Sequence, residues 1–235
     1  MSQLTGDERA RYVHTVFGRI AKRYNLMNRL MTAGQDVRWR QEAVRRLRLA
    51  PGNTLLDLGA GTGDLGRLAL RQQPDIRLVA ADFSLEMMLA GKTSGPLPWL
   101  NADALHLPFP DATFEAVVSG FLMRNVGDLD SALQEQVRVL KPGGRIAILE
   151  TTRPHAGIFT SLVRVHMRLV IPWIGGLVSG DREAYRYLPA SSESFLDAEE
   201  LAGRMASAGF RNVGFRRRMA GTIAIHWGEK EQSAG

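Results

Sequence analysis

The sequence contains no cysteine. This absence excludes disulfide bonds, thiolate zinc sites and iron–sulfur clusters, and with them cluster-based radical chemistry and any mechanism that needs a cysteine nucleophile. No metal site is expected from the remaining residues. Chemistry in this chain must therefore rest on carboxylates, amides, hydroxyls, imidazoles and guanidinium groups.

Long apolar segments are also missing. No run of 18 apolar residues is free of charge, so we expect no transmembrane helix. Residues 1–11 are polar and charged, which predicts no secretory signal. The expected location is the cytoplasm.

Aromatic residues are sparse, at 7%, and positive charge is unevenly spread. Residues 1–49 contain eleven Lys or Arg and four Asp or Glu, whereas the rest of the chain sums to −1. A basic arm can meet nucleic acid, meet an anionic membrane, or simply form a solvated helix face. Without interleaved aromatic side chains we expect no nucleic-acid partner. Peripheral contact at the inner face of the cell membrane is the alternative location.

A short apolar run that ends in alternating glycines organises the chain. It reads Leu55-Leu56-Asp57-Leu58-Gly59-Ala60-Gly61-Thr62-Gly63-Asp64, and a helical pattern follows it. Glycine permits positive φ and close approach of a ligand to the backbone, and the helix N-terminus offers free N–H groups. This strand–turn–helix unit predicts a nucleotide-like or carboxylate-bearing ligand.

The glycines fit two cofactor fingerprints. A dinucleotide fingerprint, G-x-G-x-x-G, is formed by Gly61, Gly63 and Gly66. A methyltransferase fingerprint, D-x-G-x-G-x-G, is formed by Asp57, Gly59, Gly61 and Gly63. Asp82 ends the next apolar run, 19 residues past Gly63, where either cofactor needs an acid for its ribose hydroxyls. These residues alone leave NAD and S-adenosylmethionine both open.

Strands and helices alternate along the chain, which predicts an α/β fold with a doubly wound, mostly parallel, seven-stranded sheet. We predict strands at 54–58, 76–82, 98–101, 114–119, 145–150, 212–217 and 222–227. Helices are predicted at 63–72, 84–91, 128–140 and 197–208, with a turn at 141–144. Ligands in such sheets bind beyond the carboxyl ends of the strands.

Additional helices flank this sheet. Residues 7–31 and 36–48 show helical periodicity, and we expect residues 1–50 to form a helical cap on a methyltransferase-like domain of residues 51–235. Residues 157–178 are unusually apolar, with thirteen large apolar residues among 22. We expect a helical lid insertion after strand five, over 157–196.

Several short motifs occur together in a fixed order. They are Val16-Phe17, Tyr24-Asn25-Leu26-Met27-Asn28, Arg124-Asn125-Val126, Arg138-Val139-Leu140-Lys141-Pro142-Gly143-Gly144-Arg145, Leu149-Glu150, Tyr185-Arg186-Tyr187-Leu188, Ala220-Gly221 and His226. Over residues 13–230 the chain resembles the ubiquinone/menaquinone-biosynthesis C-methyltransferases, which are class I methyltransferases. The resemblance selects S-adenosylmethionine over NAD.

The resemblance implies an enzyme that methylates a ring carbon of a lipophilic, prenylated quinol, most directly demethylmenaquinol to menaquinol, and releases S-adenosylhomocysteine. It allows a homodimer. A second reading is a methyltransferase for another small lipophilic or phenolic acceptor. A third is a protein that binds S-adenosylmethionine without catalysis.

The resemblance also implies a set of cofactor-binding residues: Asp57, Gly59, Gly61, Thr62, Gly63, Asp82, Phe83, Asp103, Ala104 and Gly120. Asp82 would accept from the ribose hydroxyls and Asp103 from the adenine amino group. Gly120 stands where the family has a serine. The alternatives are that Asp57 binds the backbone of the glycine loop and that Asp103 caps a turn.

Five residues are implied on the acceptor side. Arg124, oriented by Asn125, would stabilise a phenolate or hold a water that takes its proton, and both are the predicted catalytic residues. Tyr24, Asn28 and Tyr185 are the predicted substrate contacts. The alternatives are a salt bridge from Arg124 to Glu150 and core packing of Tyr24.

The chain departs from the family pattern near the expected acceptor. Asn25 replaces an aspartate, Thr32 and Asp36 replace a serine and a histidine before Trp39, and Leu122 replaces a glycine. These changes leave the exact acceptor open. We expect the apolar lid to receive the isoprenoid tail and to touch the membrane.

Overall fold

The computed structural model describes residues 15–16, 18–153, 191–192 and 195–232. Its α-helices are α1 (Tyr24–Met31), α2 (Asp36–Arg46), α3 (Asp64–Gln72), α4 (Leu85–Lys92), α5 (Leu129–Val139) and α6 (Ala198–Ser207). Its strands are β1 (Thr54–Leu58), β2 (Arg77–Asp82), β3 (Trp99–Asn101), β4 (Phe114–Gly120), β5 (Leu140–Thr151), β6 (Phe210–Arg218) and β7 (Ile223–Lys230).

The strands form one seven-stranded sheet in the order β3-β2-β1-β4-β5-β7-β6. The first five strands run parallel, whereas β7 is antiparallel to both β5 and β6. The predicted doubly wound α/β fold is therefore confirmed. The parallel strands bring the segments after β1, β2, β3 and β4 to one edge of the sheet.

Apolar side chains cover both faces of the sheet. On one face, Trp39, Ala43 and Val44 of α2 pack with α3 and with Leu55 of β1. On the other face, residues of α5 and α6 pack with Leu56 of β1. Since successive strand residues point to opposite faces, neighbouring Leu55 and Leu56 serve the two cores. Helix α2 is thus an integral layer of the fold, and the division at residue 50 stays a prediction.

Side-chain caps fix three helix starts. Ser84 accepts from the backbone N–H of Met87 at 3.3 Å and starts α4. Asp128 accepts from Asp130 and Ser131 and starts α5. Asp197 forms a capping box with Glu200 at the start of α6. Each cap satisfies N–H groups that have no partner within the helix.

Two segments differ from the sequence prediction. Residues 141–144 were predicted as a turn, but they belong to β5 and form a bulge opposite Glu115, because Phe114 pairs with Leu140 and Ala116 with Arg145. The predicted helix 7–31 is broken by a 3-10 turn at Ala21–Arg23 before α1. The lid segment 157–190 and residues 1–14 lie outside the described residues.

Candidate active site

A cavity of about 290 Å³ lies at the carboxyl ends of the parallel strands. The loops after β1, β2, β3 and β4 line it, together with Tyr24 of α1 and Arg40 of α2. Small-molecule sites in doubly wound folds lie at this edge of the sheet. The apolar part of its lining includes Leu58, Leu65, Met87, Phe121, Leu122 and Val126.

The glycine loop between β1 and α3 forms the floor of this cavity. Gly59, Gly61 and Gly63 have φ of +66°, +57° and +82°, values that other residues adopt only with strain. A Cβ at Gly59 would lie 2.9 Å from Leu122 Cδ1, and one at Gly63 would lie 2.5 Å from Leu97 Cδ1. The loop therefore needs glycine for its backbone conformation and for its close packing.

Asp82 lies at the end of β2, at the cavity wall. Its Oδ2 accepts from Gly61 N at 2.6 Å and its Oδ1 from Ser84 N at 2.7 Å. The carboxylate thus connects the glycine loop to the start of α4. Each carboxylate oxygen has a second lone pair, which suits a diol that donates two hydrogen bonds. Phe83, the next residue, also lines the cavity and is 52% exposed.

Asp103 and Ala104 follow β3 and line the cavity beside Asp82. Asp103 Oδ1 accepts from Leu105 N at 2.9 Å, so the carboxylate also caps the turn that carries it. The turn fixes the orientation of the carboxyl group. Turn capping and a contact to a ligand amino group are compatible, because the group has two oxygens.

Asp57 is buried inside the fold and is not among the residues that line the cavity. Its Oδ2 accepts from Gly66 N at 2.8 Å, near the start of α3. Burial, with a smaller contribution from the nearby Asp82 and Asp64, raises the pKa of Asp57 to about 7, although the hydrogen bond from Gly66 lowers it. The contact is to the backbone in the first turn of α3, next to the glycine loop whose backbone the sequence left as the alternative partner.

Asn25 of α1 connects the helix to the glycine loop. Thr62 Oγ1 donates to Asn25 Oδ1 at 2.8 Å, and Asn25 Nδ2 donates to Asp64 Oδ1 at 3.1 Å. The carboxamide suits this position because it accepts on one side and donates on the other. Asn25 departs from the family pattern, but its side chain has a structural role, because it joins α1 to the glycine loop and to the start of α3.

The segment after β4 forms the acceptor side of the cavity. Gly120, Phe121, Leu122 and Asn125 line it, and Asn125 Nδ2 donates to Phe121 O at 2.8 Å. A Cβ at Gly120 would lie 2.9 Å from Leu65 Cδ1. A serine at this position would therefore require the end of the Leu65 side chain to shift.

Arg124 lies just past β4, and it forms the salt bridge to Glu150 that the sequence left as an alternative. Its Nη1 donates to Glu150 Oε1 at 2.5 Å, the two side chains are 4% and 0% exposed, and Arg124 is not among the residues that line the cavity. The cause is the pairing of β4 with β5, which brings the residues after Gly120 beside Glu150. Direct contact of this guanidinium with an acceptor stays untested, and the geometry favours a positioning role.

The predicted substrate contacts Tyr24, Asn28 and Tyr185 are divided, and His226, a residue of the family motifs, lies outside the cavity lining. Tyr24 lines the cavity, whereas Asn28, one turn further along α1, is buried at 9% exposure and is not part of the lining. Tyr185 lies outside the described residues. His226 is buried in β7, where its Nε2 lies 3.0 Å from Ala198 O and burial lowers its pKa to about 4. It is a neutral, structural group.

A buried ion pair at the cavity was not predicted as part of the site. Arg40 lines the cavity and forms an ion pair with Asp36, and both side chains are buried. Their spacing of four residues on α2 is a helix ion-pair signal that the sequence does contain. Which face of the helix they occupy is decided only by the packing of α2.

The residues present fit S-adenosylmethionine. Two carboxylates, Asp82 and Asp103, lie beside a glycine loop whose Cβ positions are blocked at Gly59 and Gly63. Carboxylates match ribose hydroxyls and an adenine amino group, since all of these groups donate hydrogen bonds. The apolar lining provides the dry surroundings in which a sulfonium reacts.

Comparisons with known proteins agree with this geometry. The chain is 43% identical over 221 residues to the ubiquinone/menaquinone biosynthesis C-methyltransferase UbiE of Desulfotalea psychrophila, covering 93% of this chain and 90% of that protein. It is 43% identical over 221 residues to the demethylmenaquinone methyltransferase of Thermus thermophilus, covering 92% of this chain and 100% of that protein.

A solved structure shows the same fold. A SAM-dependent methyltransferase of Thermotoga maritima, described as a possible histamine N-methyltransferase, aligns with a TM-score of 0.65 at 19% identity, covering 92% of this chain and 99% of that one. The sequence model described as the ubiE/COQ5 methyltransferase family matches residues 4–230. The chain therefore belongs to the ubiE/COQ5 methyltransferase family, and it is a methyltransferase that uses S-adenosylmethionine.

Proposed function

We propose that this enzyme methylates a ring carbon of a prenylated quinol, converting demethylmenaquinol to menaquinol. The observation that carries the proposal is one cavity with two different ends. Asp82 and Asp103 form a polar end, and Phe121, Leu122 and Val126 form an apolar end beside the glycine loop. The two relatives described above, named for menaquinone biosynthesis, support the choice of acceptor.

The polar end would hold the nucleoside. Asp82 would accept from the ribose hydroxyls and Asp103 from the adenine amino group, with Phe83 and Ala104 beside them. S-adenosylmethionine supplies, when bound, a methyl group on a sulfonium that a nucleophilic carbon can displace. Gly59 and Gly61 line the cavity, and positive φ at the three glycines gives the loop the tight turn along which the cofactor would bind.

The apolar end would receive the quinol ring. The ring carbon becomes nucleophilic when a neighbouring hydroxyl loses its proton, so the site must favour a phenolate. Tyr24 and Asn125 are the candidates for this role, since both are predicted acceptor-side residues that line the cavity. Arg124 acts through Glu150, which fixes the segment that carries Asn125.

A direct assay tests the proposed reaction. Purified enzyme is supplied with S-adenosylmethionine and reduced demethylmenaquinone, and the lipid product is analysed by mass spectrometry. We expect a product heavier by one methylene and one equivalent of S-adenosylhomocysteine. Cofactor binding without any product from demethylmenaquinol would contradict the proposed acceptor.

A different phenolic acceptor is favoured by one observation. Leu122, which replaces the family glycine, packs against Gly59 at the boundary between the glycine loop and the apolar end. Its side chain narrows the cavity where the ring would lie. Leu122→Gly should raise kcat/KM for demethylmenaquinol if the native acceptor is a smaller phenol, and should leave it unchanged or lower it if demethylmenaquinol is native.

Peripheral membrane contact is part of the proposal, because a prenylated quinol resides in a bilayer. A second concavity, which we name the arginine groove, supports it. The groove has a volume of about 1150 Å³ and is lined by seven arginines and two glutamates: Arg38, Arg45, Arg46, Arg48, Arg145, Arg216, Arg218, Glu42 and Glu229. Within the described part of the chain, no helix has the length and apolarity needed to cross a membrane.

Sedimentation with liposomes tests this contact. The enzyme should bind vesicles with anionic lipid at low salt and lose binding as salt is raised, since arginines near the surface contribute about 1 kcal/mol each. Arg38→Glu combined with Arg45→Glu should abolish binding. Arg71→Glu, an exposed change on α3, is the control. Equal binding to neutral vesicles would contradict an electrostatic contact.

Light scattering of the same enzyme preparations, without vesicles, tests the predicted homodimer.

A further inference from the structure

Arg40 is a cationic residue in a cavity whose other charged lining residues, among those described, are acidic. The described residues that line the cavity include four aspartates, Asp64, Asp82, Asp103 and Asp128. Arg40 is the one cationic side chain among these described lining residues, and it is 7% exposed. Among the described residues that line the cavity, Arg40 is therefore the side chain whose charge can pair with an anion.

Asp36 holds Arg40 in this position. The Arg40 Nη1 donates to Asp36 Oδ2, and Asp36 Oδ1 accepts from Thr32 Oγ1 at 3.2 Å. Asp36 is 1% exposed, and Arg29 Nε lies 3.8 Å from its Oδ2, so removal of Arg40 would leave this buried carboxylate with the more distant cation alone among the described residues. A guanidinium carries five N–H donors, and Asp36 binds at Nη1, which leaves donors for a second anion.

The layout of the sheet locates that second anion. Asp82 and Asp103 follow β2 and β3, on one side of the glycine loop. Helix α2, which carries Arg40, packs on the other side against α3, β4, β5 and β7. If the nucleoside lies over β2 and β3, the amino-acid end of the cofactor would extend across the glycine loop toward the side that carries α2.

We propose that Arg40 binds the α-carboxylate of S-adenosylmethionine, with Asp36 as its positioning residue. The inference rests on the proposed cofactor site and names a residue for its amino-acid end. A planar guanidinium matches a carboxylate with two parallel hydrogen bonds, which an isolated phenolate oxygen cannot accept in the same way. The ammonium and sulfonium groups of the ligand offset the second negative charge beside Arg40.

The same anionic chemistry could also come from the deprotonated quinol, and ligand analogues distinguish the two sources. Calorimetry compares S-adenosylhomocysteine with its decarboxylated analogue, with no acceptor present. We expect the wild-type enzyme to prefer the carboxylate form by about 10- to 100-fold. Arg40→Met should remove this preference and leave the affinity for the decarboxylated analogue near wild type.

Three variants provide the controls. Arg38→Met, on the outer face of the same helix, should keep the full preference. Arg40→Lys should keep part of it, since a point charge replaces a planar fork. Asp36→Asn should lower the preference without removing it. The quantity measured for this variant is the ratio of its affinities for S-adenosylhomocysteine and for the decarboxylated analogue, rather than its thermal stability.

The results separate the inference from the function on which it rests. If the wild-type enzyme does not bind S-adenosylhomocysteine, the proposed cofactor site is wrong. If it binds but shows no preference for the carboxylate, or if Arg40→Met and Arg40→Lys both retain the preference, the assignment of Arg40 is overturned. A retained preference with a raised KM for the quinol would assign Arg40 to the acceptor instead.

Discussion

Arg124 and Glu150 form an ion pair that is almost completely buried, with Nη1 and Oε1 2.5 Å apart. Glu150 is the penultimate residue of β5, and its Oε1 also accepts from Thr151 N at 2.7 Å. The pair joins the segment after β4 to the end of β5. This geometry favours a role for Arg124 in positioning that segment over direct contact with the acceptor.

Arg124→Met should destabilise the enzyme by about 3–5 kcal/mol, because it leaves the Glu150 carboxylate buried without its cation. Methyl transfer should slow, whereas the affinity for S-adenosylmethionine should change little in the folded variant. Urea unfolding measures the first effect, and single-turnover kinetics with calorimetry measure the other two.

The double variant Arg124→Met, Glu150→Gln separates positioning from direct catalysis. A neutral pair of similar volume should recover most of the lost stability. If activity returns together with stability, Arg124 is a positioning residue. If stability returns and the rate does not, the guanidinium itself contacts the reacting groups.

Asp82→Ala should lower the affinity for S-adenosylmethionine at least about tenfold, since a charged hydrogen bond contributes about 1.5–3 kcal/mol. Because Asp82 also holds Gly61 and Ser84, loop disorder could cause the same loss. A cofactor analogue without ribose hydroxyls resolves this. The wild type should bind the analogue about as weakly as Asp82→Ala binds the parent compound, and no discrimination by the wild type would refute the ribose contact.

Asn25→Asp should make the stability of the enzyme depend on pH. The new carboxylate would lie beside Asp64, which accepts from the amide of Asn25 at 3.1 Å. Like charges raise the pKa values of both carboxyls in the folded state, so the folded protein binds more protons than the unfolded chain. The variant should therefore match wild type best near pH 4 and lose about 1–2 kcal/mol as the pH rises to neutrality.

Asn25→Ala is the matched control for this variant. It removes the hydrogen bonds to Thr62 and Asp64 without adding a charge. Its loss of stability should be the same at pH 5 and pH 8 in thermal unfolding. A parallel pH dependence in both variants would exclude repulsion between the two carboxylates as the cause.

Asp57 should contribute a negative slope to the pH dependence of stability. Its pKa rises from 3.8 to about 7 on folding, so the folded state binds the extra proton between these values. The free energy of unfolding should then fall as the pH rises from about 4 to about 7, by at most about 4 kcal/mol, and level off above. Asp57→Asn should remove this slope in denaturant titrations, and an unchanged slope would mean that Asp57 stays ionised.

The sequence predicts most of the fold because its signals are local. The run Leu55–Leu58 followed by three glycines defines β1 and its loop, and Ser84 and Asp128 mark helix starts through their own side chains. The bulge at 141–144 was predicted as a turn because Pro142, Gly143 and Gly144 suit either structure. Only the pairing of Leu140 with Phe114 across the sheet distinguishes them.

The site was harder to predict from the sequence, because its side chains are oriented by partners that are distant along the chain. Arg124 was predicted to lie just past β4, and it does, but the orientation of its side chain depends on Glu150, 26 residues away. Arg40 was missed because its role depends on which face of α2 packs against the sheet. Asn25 was noted only as a departure, since its partner Asp64 lies 39 residues further along the chain.

The position of β7 has a consequence for how the chain assembles. This strand is the last in sequence, yet it lies between β5 and β6 and pairs with both. During synthesis, β6 emerges first and has no place on the sheet until β7 arrives, so β5 presents an open edge until then. A nascent chain that stalls before Ile223 would therefore leave both β5 and β6 without their partner strand. Chaperones and proteases would then encounter two unpaired strands rather than one.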